Sequence, residues 1–200
     1  MDITIIAETQ GDNLHPVTSQ LVGAATSLGA SPTVLCAGGS GADAAAGIAG
    51  VGKVLSVVGD CFSTFDGGAW AAAFDAAAGA GVIVGAASAQ GRDVVARIAA
   101  RRGIPVVQDV VAISQGLTMI HPIYSGKAMQ EVTIGGDCAV TLRSNTFPPA
   151  GDGGSAESAT VQQSGDVKIA VQEAIAKASA RLDVSDADII ISGGRGMGNP

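Results

Sequence analysis

The sequence predicts an α/β fold: an open, mainly parallel sheet with helices on both faces, followed by an antiparallel meander after about residue 115. Three observations predict it. Short β-branched runs recur between Ala-rich stretches, each run is nearly all apolar as a strand covered on both faces must be, and beyond Pro105 the texture changes to alternating segments joined by Gly-containing turns.

The parallel strands are read at Ile3–Ala7, Thr33–Ala37, Val54–Val58, Val82–Gly85 and Pro105–Val107, with helices at Leu14–Ser27, Ala42–Ala49, Asp66–Ala78 and Gln90–Arg102. The fourth helix carries the fullest set of local signals. Ser88 stands at the N-cap, Asp93 and Arg97 are four apart, Arg101 and Arg102 oppose the macrodipole in the last turn, and Gly103 stops the helix. The meander is read at Leu117–Tyr124, Met129–Ile134 and Ala139–Arg143, turning at Ser125-Gly126 and Gly135-Gly136-Asp137.

These elements give a first domain over residues 1–146. Residues 147–165, rich in Pro, Gly, Ser and Asp, are expected to be a linker or extended arm, because such a composition does not repay its own ordering entropy. Residues 166–187 connect onward: Val167, Ile169 and Val171 alternate like a strand, and Glu173–Ala180 then has strong helix formers. Residues 188–200 read as the first strand, Asp188–Ser192, and the glycine-rich turn of a further domain.

Composition excludes several function classes. A net charge of −7 with only 11 Lys and Arg argues against nucleic acid or an anionic membrane as partner. No apolar run reaches the 18 or so residues a membrane span requires, so no membrane insertion is expected. The start has neither a secretory signal nor a transit peptide pattern. Cys36, Cys61 and Cys138 are widely spaced and odd in number, which suggests reduced thiols rather than a disulfide framework or zinc site. His15 and His121 have no carboxylates or cysteines clustered nearby and are expected to be structural.

Two glycine-rich segments could carry chemistry. Gly39-Ser40-Gly41-Ala42-Asp43-Ala44 follows a strand and opens a helix, satisfying the pattern of a dinucleotide-binding turn, with Asp60 near the end of the next strand as a ribose acid. The competing view is a plain tight turn that lets a small-residue helix pack close to the sheet. Ser192-Gly193-Gly194-Arg195-Gly196 ends an apolar run and sets backbone amides beside a guanidinium, an arrangement suited to an anion or a polar cofactor edge.

Several segments together resemble the electron transfer flavoprotein alpha subunit. The run Gly85–Ala99 (GAASAQGRDVVARIA) is similar to that family's G-A-S-A-x-G-K-D-L-x-P-R-V-A stretch, with one extra small residue and Ala96 in place of proline. Pro105–Ile113 resembles its P-x-S-D-x-x-A-I segment, and His121–Ala128 (HPIYSGKA) its R-P-I-Y-A-G-N-A, with His121 and Lys127 departing from the family's Arg and Asn. Phe147-Pro148 and Gly153–Ser155 fall at a similar linker, and Ser192–Gly196 matches the family's S-G-G-R-G turn.

The resemblance implies an adenine-nucleotide-hydrolase-like first domain without a working dinucleotide site, acting as scaffold and heterodimerisation surface. It implies a beta subunit as partner and FAD held mainly by the alpha subunit's second domain. Electrons would pass from dehydrogenases, such as acyl-CoA dehydrogenases of fatty acid beta-oxidation, to electron transfer flavoprotein-quinone oxidoreductase. Arg195, flanked by Gly193, Gly194 and Gly196, is the implied flavin contact, and this chain by itself is expected not to retain FAD or to be an enzyme. The implied location is cytoplasmic in a prokaryote and the mitochondrial matrix in a eukaryote. The alternative is a stand-alone nucleotide-binding protein or NAD-dependent enzyme using the Gly39–Gly41 turn.

Overall fold

The computed structural model describes residues 1–171 and 189–198. It divides into two units, Met1–Ile169 and Ala170–Pro200. In the first, β1 (Ile3–Ile6) leads through a two-residue hairpin, β2 (Thr9–Gln10) and β3 (Asn13–Leu14), into α1 (Val17–Ser27). Then follow β4 (Thr33–Ala37), α2 (Ala42–Ala46), β5 (Lys53–Val58), a 3-10 turn at Asp60–Ser63, α3 (Gly67–Ala77), β6 (Val82–Ala86), α4 (Ala89–Arg102) and β7 (Val106–Val110). The remaining strands are β8 (Ala112–Ser114), β9 (Thr118–Ile123), β10 (Ala128–Thr133), β11 (Cys138–Leu142) and β12 (Glu157–Gln162).

Seven strands form one sheet in the order β12-β5-β4-β1-β6-β11-β7, and every pairing in it is parallel. Side chains alternate between two cores. Val34, Cys36, Val82, Val84, Cys138 and Val140 point to the face covered by α1 and α2, while Leu35, Ala37, Ile83 and Ala139 point to the face covered by α3 and α4. Helices thus cover both faces, as the apolar runs require.

α4 has the predicted termini. Ser88 Oγ accepts from the Gly91 amide at 3.0 Å, Asp93 accepts from Arg97 at 2.8 Å, and Gly103 ends the helix at φ +65°. α1 begins three residues later than predicted, because Asn13 and Leu14 pair with Thr9 and Gln10 and Pro16 occupies the N-cap. α2 ends at Ala46, three residues short of prediction.

Two expectations are corrected. β9 and β10 form the predicted antiparallel ribbon and β8 joins it, but the third meander segment, Ala139–Arg143, lies elsewhere: as β11 it enters the main sheet, parallel, between β6 and β7. All five of its residues are buried, the signature of a central parallel strand. Within 147–165, expected to be linker or arm, Glu157–Gln162 forms β12, which pairs in register with β5 from Glu157↔Lys53 to Gln162↔Val58. The preceding stretch is bound to the helices: the Ala150 amide donates to Ser19, Ala49 to Gly151, Gly154 to Gly47 and Ala156 to Ala46. Its main chain passes so near α1 that any side chain at Gly23 would strike the Pro148 carbonyl.

Residues 166–169 form no helix or strand and are tied to the start of α3. Asp66, the N-cap of α3, accepts from Gly68 (2.8 Å), Ala69 (3.1 Å) and the Lys168 amide (2.8 Å). The helix expected at Glu173–Ala180 lies outside the described residues. Of the strand expected at Asp188–Ser192, residues 189–192 are described and take no strand conformation, and a 3-10 turn follows at Arg195–Met197.

Candidate functional site

Open α/β sheets take ligands beyond the carboxyl ends of their strands, at the point where strand order reverses. Here the chain runs from β1 to β4 and β5 on one side, then α3 carries it across to β6 on the other, so the reversal falls between β1 and β6. A crevice does lie there, lined by Ile6–Thr9 after β1, Ala86 at the end of β6, and Gln90 and Gly91 in α4. Phe65, Trp70 and Phe74 complete its walls.

These aromatics fill it. Trp70 packs edge-on against Phe62, Phe65 and Phe74 with centroids 5.1–6.1 Å apart. Its indole N–H donates to the Cys61 and Thr64 carbonyls, both at 3.1 Å, so the ring is fixed. The remaining cavity is about 20 Å3, room for a single water. Glu8 Oε2 is enclosed and has no hydrogen-bond partner among the described residues, and one water would satisfy it. An adenine ring does not fit.

The Gly39–Gly41 turn is likewise poorly suited to a pyrophosphate. Four amides in and beside it are already engaged: Gly38 donates to Val57, Gly39 to Cys36, Ser40 to Ala37 and Ala42 to Gly39. Asp12 and Asp43 line the adjoining depression, where no Lys or Arg is present, and carboxylates repel phosphate. Asp60 is not brought to it and lines a separate depression with Gln162–Gly165. Gly41 sits at φ +72°, and a Cβ there would lie 3.0 Å from Leu14 of β3, so the glycine answers to packing and backbone sign.

The Ser192–Gly196 turn differs. Gly193, Gly194 and Gly196 are exposed, and around Gly194 and Gly196 the space that a Cβ would occupy is open. Within it, the Met197 amide donates to the Gly194 carbonyl at 3.0 Å. Arg195 opens the 3-10 turn.

His15 and His121 are accounted for structurally. His15 Nδ1 accepts from the Val17 amide at 3.1 Å at the start of α1, and His121 bonds Gln130 across the β9–β10 ribbon at 3.1 Å. The three thiols are buried; burial pushes Cys36 up to about 12 and Cys138 to about 11, which keeps both protonated. Among the described residues, no group of His, Cys, Asp and Glu could hold a metal ion, and no helix is long and apolar enough to cross a membrane.

Sequence reasoning missed one charged constellation. Asp109, at the carboxyl end of β7, accepts from Arg143 Nε (3.0 Å) and Nη2 (2.6 Å) just past β11, and pairs with Arg92 of α4 at 3.2 Å. The bond from Arg143, then its charge and that of Arg92, hold the Asp109 carboxyl below the usual carboxylate range. Asp109 and Arg92 lie in segments already noted, but their meeting is 17 residues apart in sequence and Arg143 is 34 from Asp109.

Comparison with known families completes this description. The electron transfer flavoprotein domain matches residues 3–174. The chain belongs to the electron transfer flavoprotein family. It is similar to the electron transfer flavoprotein subunit alpha of Paracoccus denitrificans, 34% identical over 207 residues covering all of this chain and 67% of that protein. Identity is 36% over 118 residues to the subunit alpha of Bradyrhizobium diazoefficiens, covering 58% of this chain and 37% of that one. With the mitochondrial subunit alpha of Arabidopsis thaliana it is 30% over 217 residues, covering 96% and 60%. The chain therefore spans one to two thirds of these relatives' length, and electron transfer flavoprotein relatives include bacterial and mitochondrial forms.

Proposed function

We propose that residues 1–169 serve as the scaffold and heterodimerisation domain of an electron transfer flavoprotein alpha subunit. The observation that carries this reading is the filled crevice: the position where this architecture would take a nucleotide is closed by Phe65, Trp70 and Phe74 down to the volume of one water. A domain that keeps the nucleotide-binding topology while closing the site is suited to support and docking. Residues 188–200 are the start of a flavin-binding domain.

The partners of the whole protein are a beta subunit, dehydrogenases such as acyl-CoA dehydrogenases, and electron transfer flavoprotein-quinone oxidoreductase. The bound flavin supplies the redox chemistry, accepting electrons from the first and passing them to the last. On this chain, Gly193, Gly194, Arg195 and Gly196 would meet it. Open space over Gly194 and Gly196 admits close approach to the main chain, and the Arg195 guanidinium offers donors to an anionic or carbonyl edge. The setting is the cytoplasm in a prokaryote and the mitochondrial matrix in a eukaryote.

Co-expression tests the reading. The 200-residue chain and a subunit extended by the remainder of the relatives' length are each produced with the beta subunit. Both are expected to co-purify with it, and only the longer one to be yellow with flavin. Tight, stoichiometric uptake of NAD or ATP by the partner-free chain, lost in Gly41→Val, would restore the nucleotide-binding alternative.

A further inference from the structure

Beyond the carboxyl ends of the neighbouring strands β11 and β7, two guanidiniums face one carboxylate. Asp109 is rigidly held there. Its backbone is left-handed at φ +61°, uncommon for a residue with a side chain, its amide donates to the fully buried Thr141 Oγ1 at 3.0 Å, and the Arg143 amide donates to Val110 at 2.9 Å. Arg143 spends its Nε and Nη2 edge on Asp109, whereas Arg92 reaches it through Nη2 alone.

The constellation is one acceptor short on two counts. It carries two positive charges against one negative, in a chain whose net charge is −7. Asp93, the acid beside Arg92 on α4, does not close the gap, since it is engaged by Arg97 at 2.8 Å. The second count concerns Arg92 itself. Its side chain is 43% exposed at the outer end, yet its Nε is enclosed and has no hydrogen-bond partner among the described residues. A buried donor without an acceptor costs free energy that a bound acceptor returns. We propose that Arg92 and Arg143, organised by Asp109, form a binding site for one oxyanion, a phosphate or a carboxylate group. The site is distinct from the filled crevice, whose walls include neither arginine. It lies beyond the carboxyl ends of β11 and β7, to one side of the reversal between β1 and β6, and paired guanidiniums suit planar or tetrahedral oxyanions.

The test follows the arginine Nε–H signals of the 15N-labelled chain by NMR, during titration with sodium phosphate and separately with sodium acetate, at ionic strength held constant with sodium chloride. The Arg92 and Arg143 signals are expected to move and saturate while those of Arg97 and Arg101 stay put. Saturation with phosphate alone assigns the site to phosphate groups, and saturation with both extends it to carboxylates. Arg92→Gln should abolish the response at Arg143. Arg92→Lys keeps the charge but removes the Nε donor, and is expected to weaken binding about tenfold. Shifts at Arg92 and Arg143 that rise without saturating, or no further than those at Arg97 and Arg101, overturn the proposal, as does full affinity in a folded Arg92→Gln chain.

Discussion

The chain carries two glycine-rich turns after apolar runs, at 38–41 and 193–196, and they differ in where their main-chain groups go. In the first, the amides of Gly38, Gly39, Ser40 and Ala42 are consumed inside the turn and its approach to β5, the neighbouring charges are Asp12 and Asp43, and Gly41 has Leu14 against it. In the second, the space a Cβ would occupy is open at Gly194 and Gly196, while Gly193 has the Met197 sulfur against it. Glycine spacing alone does not distinguish a phosphate cradle from a packing turn. Free amides and the sign of nearby charge do.

The strongest attack on this contrast hollows out the crevice of the first domain. Phe74→Ala removes a fully buried ring and is expected to cost about 3–5 kcal/mol in urea unfolding. If it instead left stability intact and conferred ATP binding, the aromatic cluster would be a lid rather than core. A smaller effect is expected at the second turn: in the extended subunit, Arg195→Ala should lose a charge-assisted contact of about 1.5–3 kcal/mol, read as flavin affinity down roughly tenfold or more, with unchanged unfolding of residues 1–169. Unaltered flavin content would remove Arg195 from the site. At the first turn the outcome reverses. Gly41→Ala should destabilise by about 1–2 kcal/mol through its left-handed backbone and the nearby Leu14, with no ligand effect to measure.

Two finer predictions probe the first unit. The amides of Lys168 and Ala69 lower the Asp66 pKa, so its ionised form stabilises the fold above the unfolded pKa of about 3.9, and that contribution is lost as pH falls through the folded value. Asp66→Asn should therefore lower the urea midpoint at pH 7, and the gap from the parent should narrow as pH drops below about 4. Amide exchange at 166–169 should quicken in the same variant; an unchanged rate would show that the Lys168 bond does not hold this segment. The smallest signal is chemical: Cys36, Cys61 and Cys138 should ignore a thiol reagent at pH 8 and all react after unfolding.

What the sequence made legible was local. The ends of α4 follow from Ser88, the Asp93–Arg97 pair and Gly103, each acting within a few residues. β11 was misassigned because Gly135-Gly136-Asp137 is a strong hairpin signal, whereas the run Cys138–Leu142, apolar on both faces but for Thr141, pointed to the sheet interior. β12 escaped notice because an edge strand needs burial on few positions, and Glu157–Gln162 is mostly exposed. The crevice had a signal that was not used: in a chain of few aromatics, Phe62, Phe65, Trp70 and Phe74 fall within 13 residues. The Arg92–Asp109–Arg143 grouping had none, since it depends on β11 lying beside β7.

The placement of β11 also governs how the chain can assemble as it is made. β6 and β7 are synthesised early, yet neither touches the other in the finished sheet, because the strand that separates them emerges about 30 residues after β7. Until then β6 presents an unsatisfied hydrogen-bonding edge, and direct capture of β7 by β6 would be a misfolded pairing that must come apart before growth resumes. Such distant pairing makes for slow folding, and between emergence of β7 and of β11 the open edge of β6 is a site for wrong pairing.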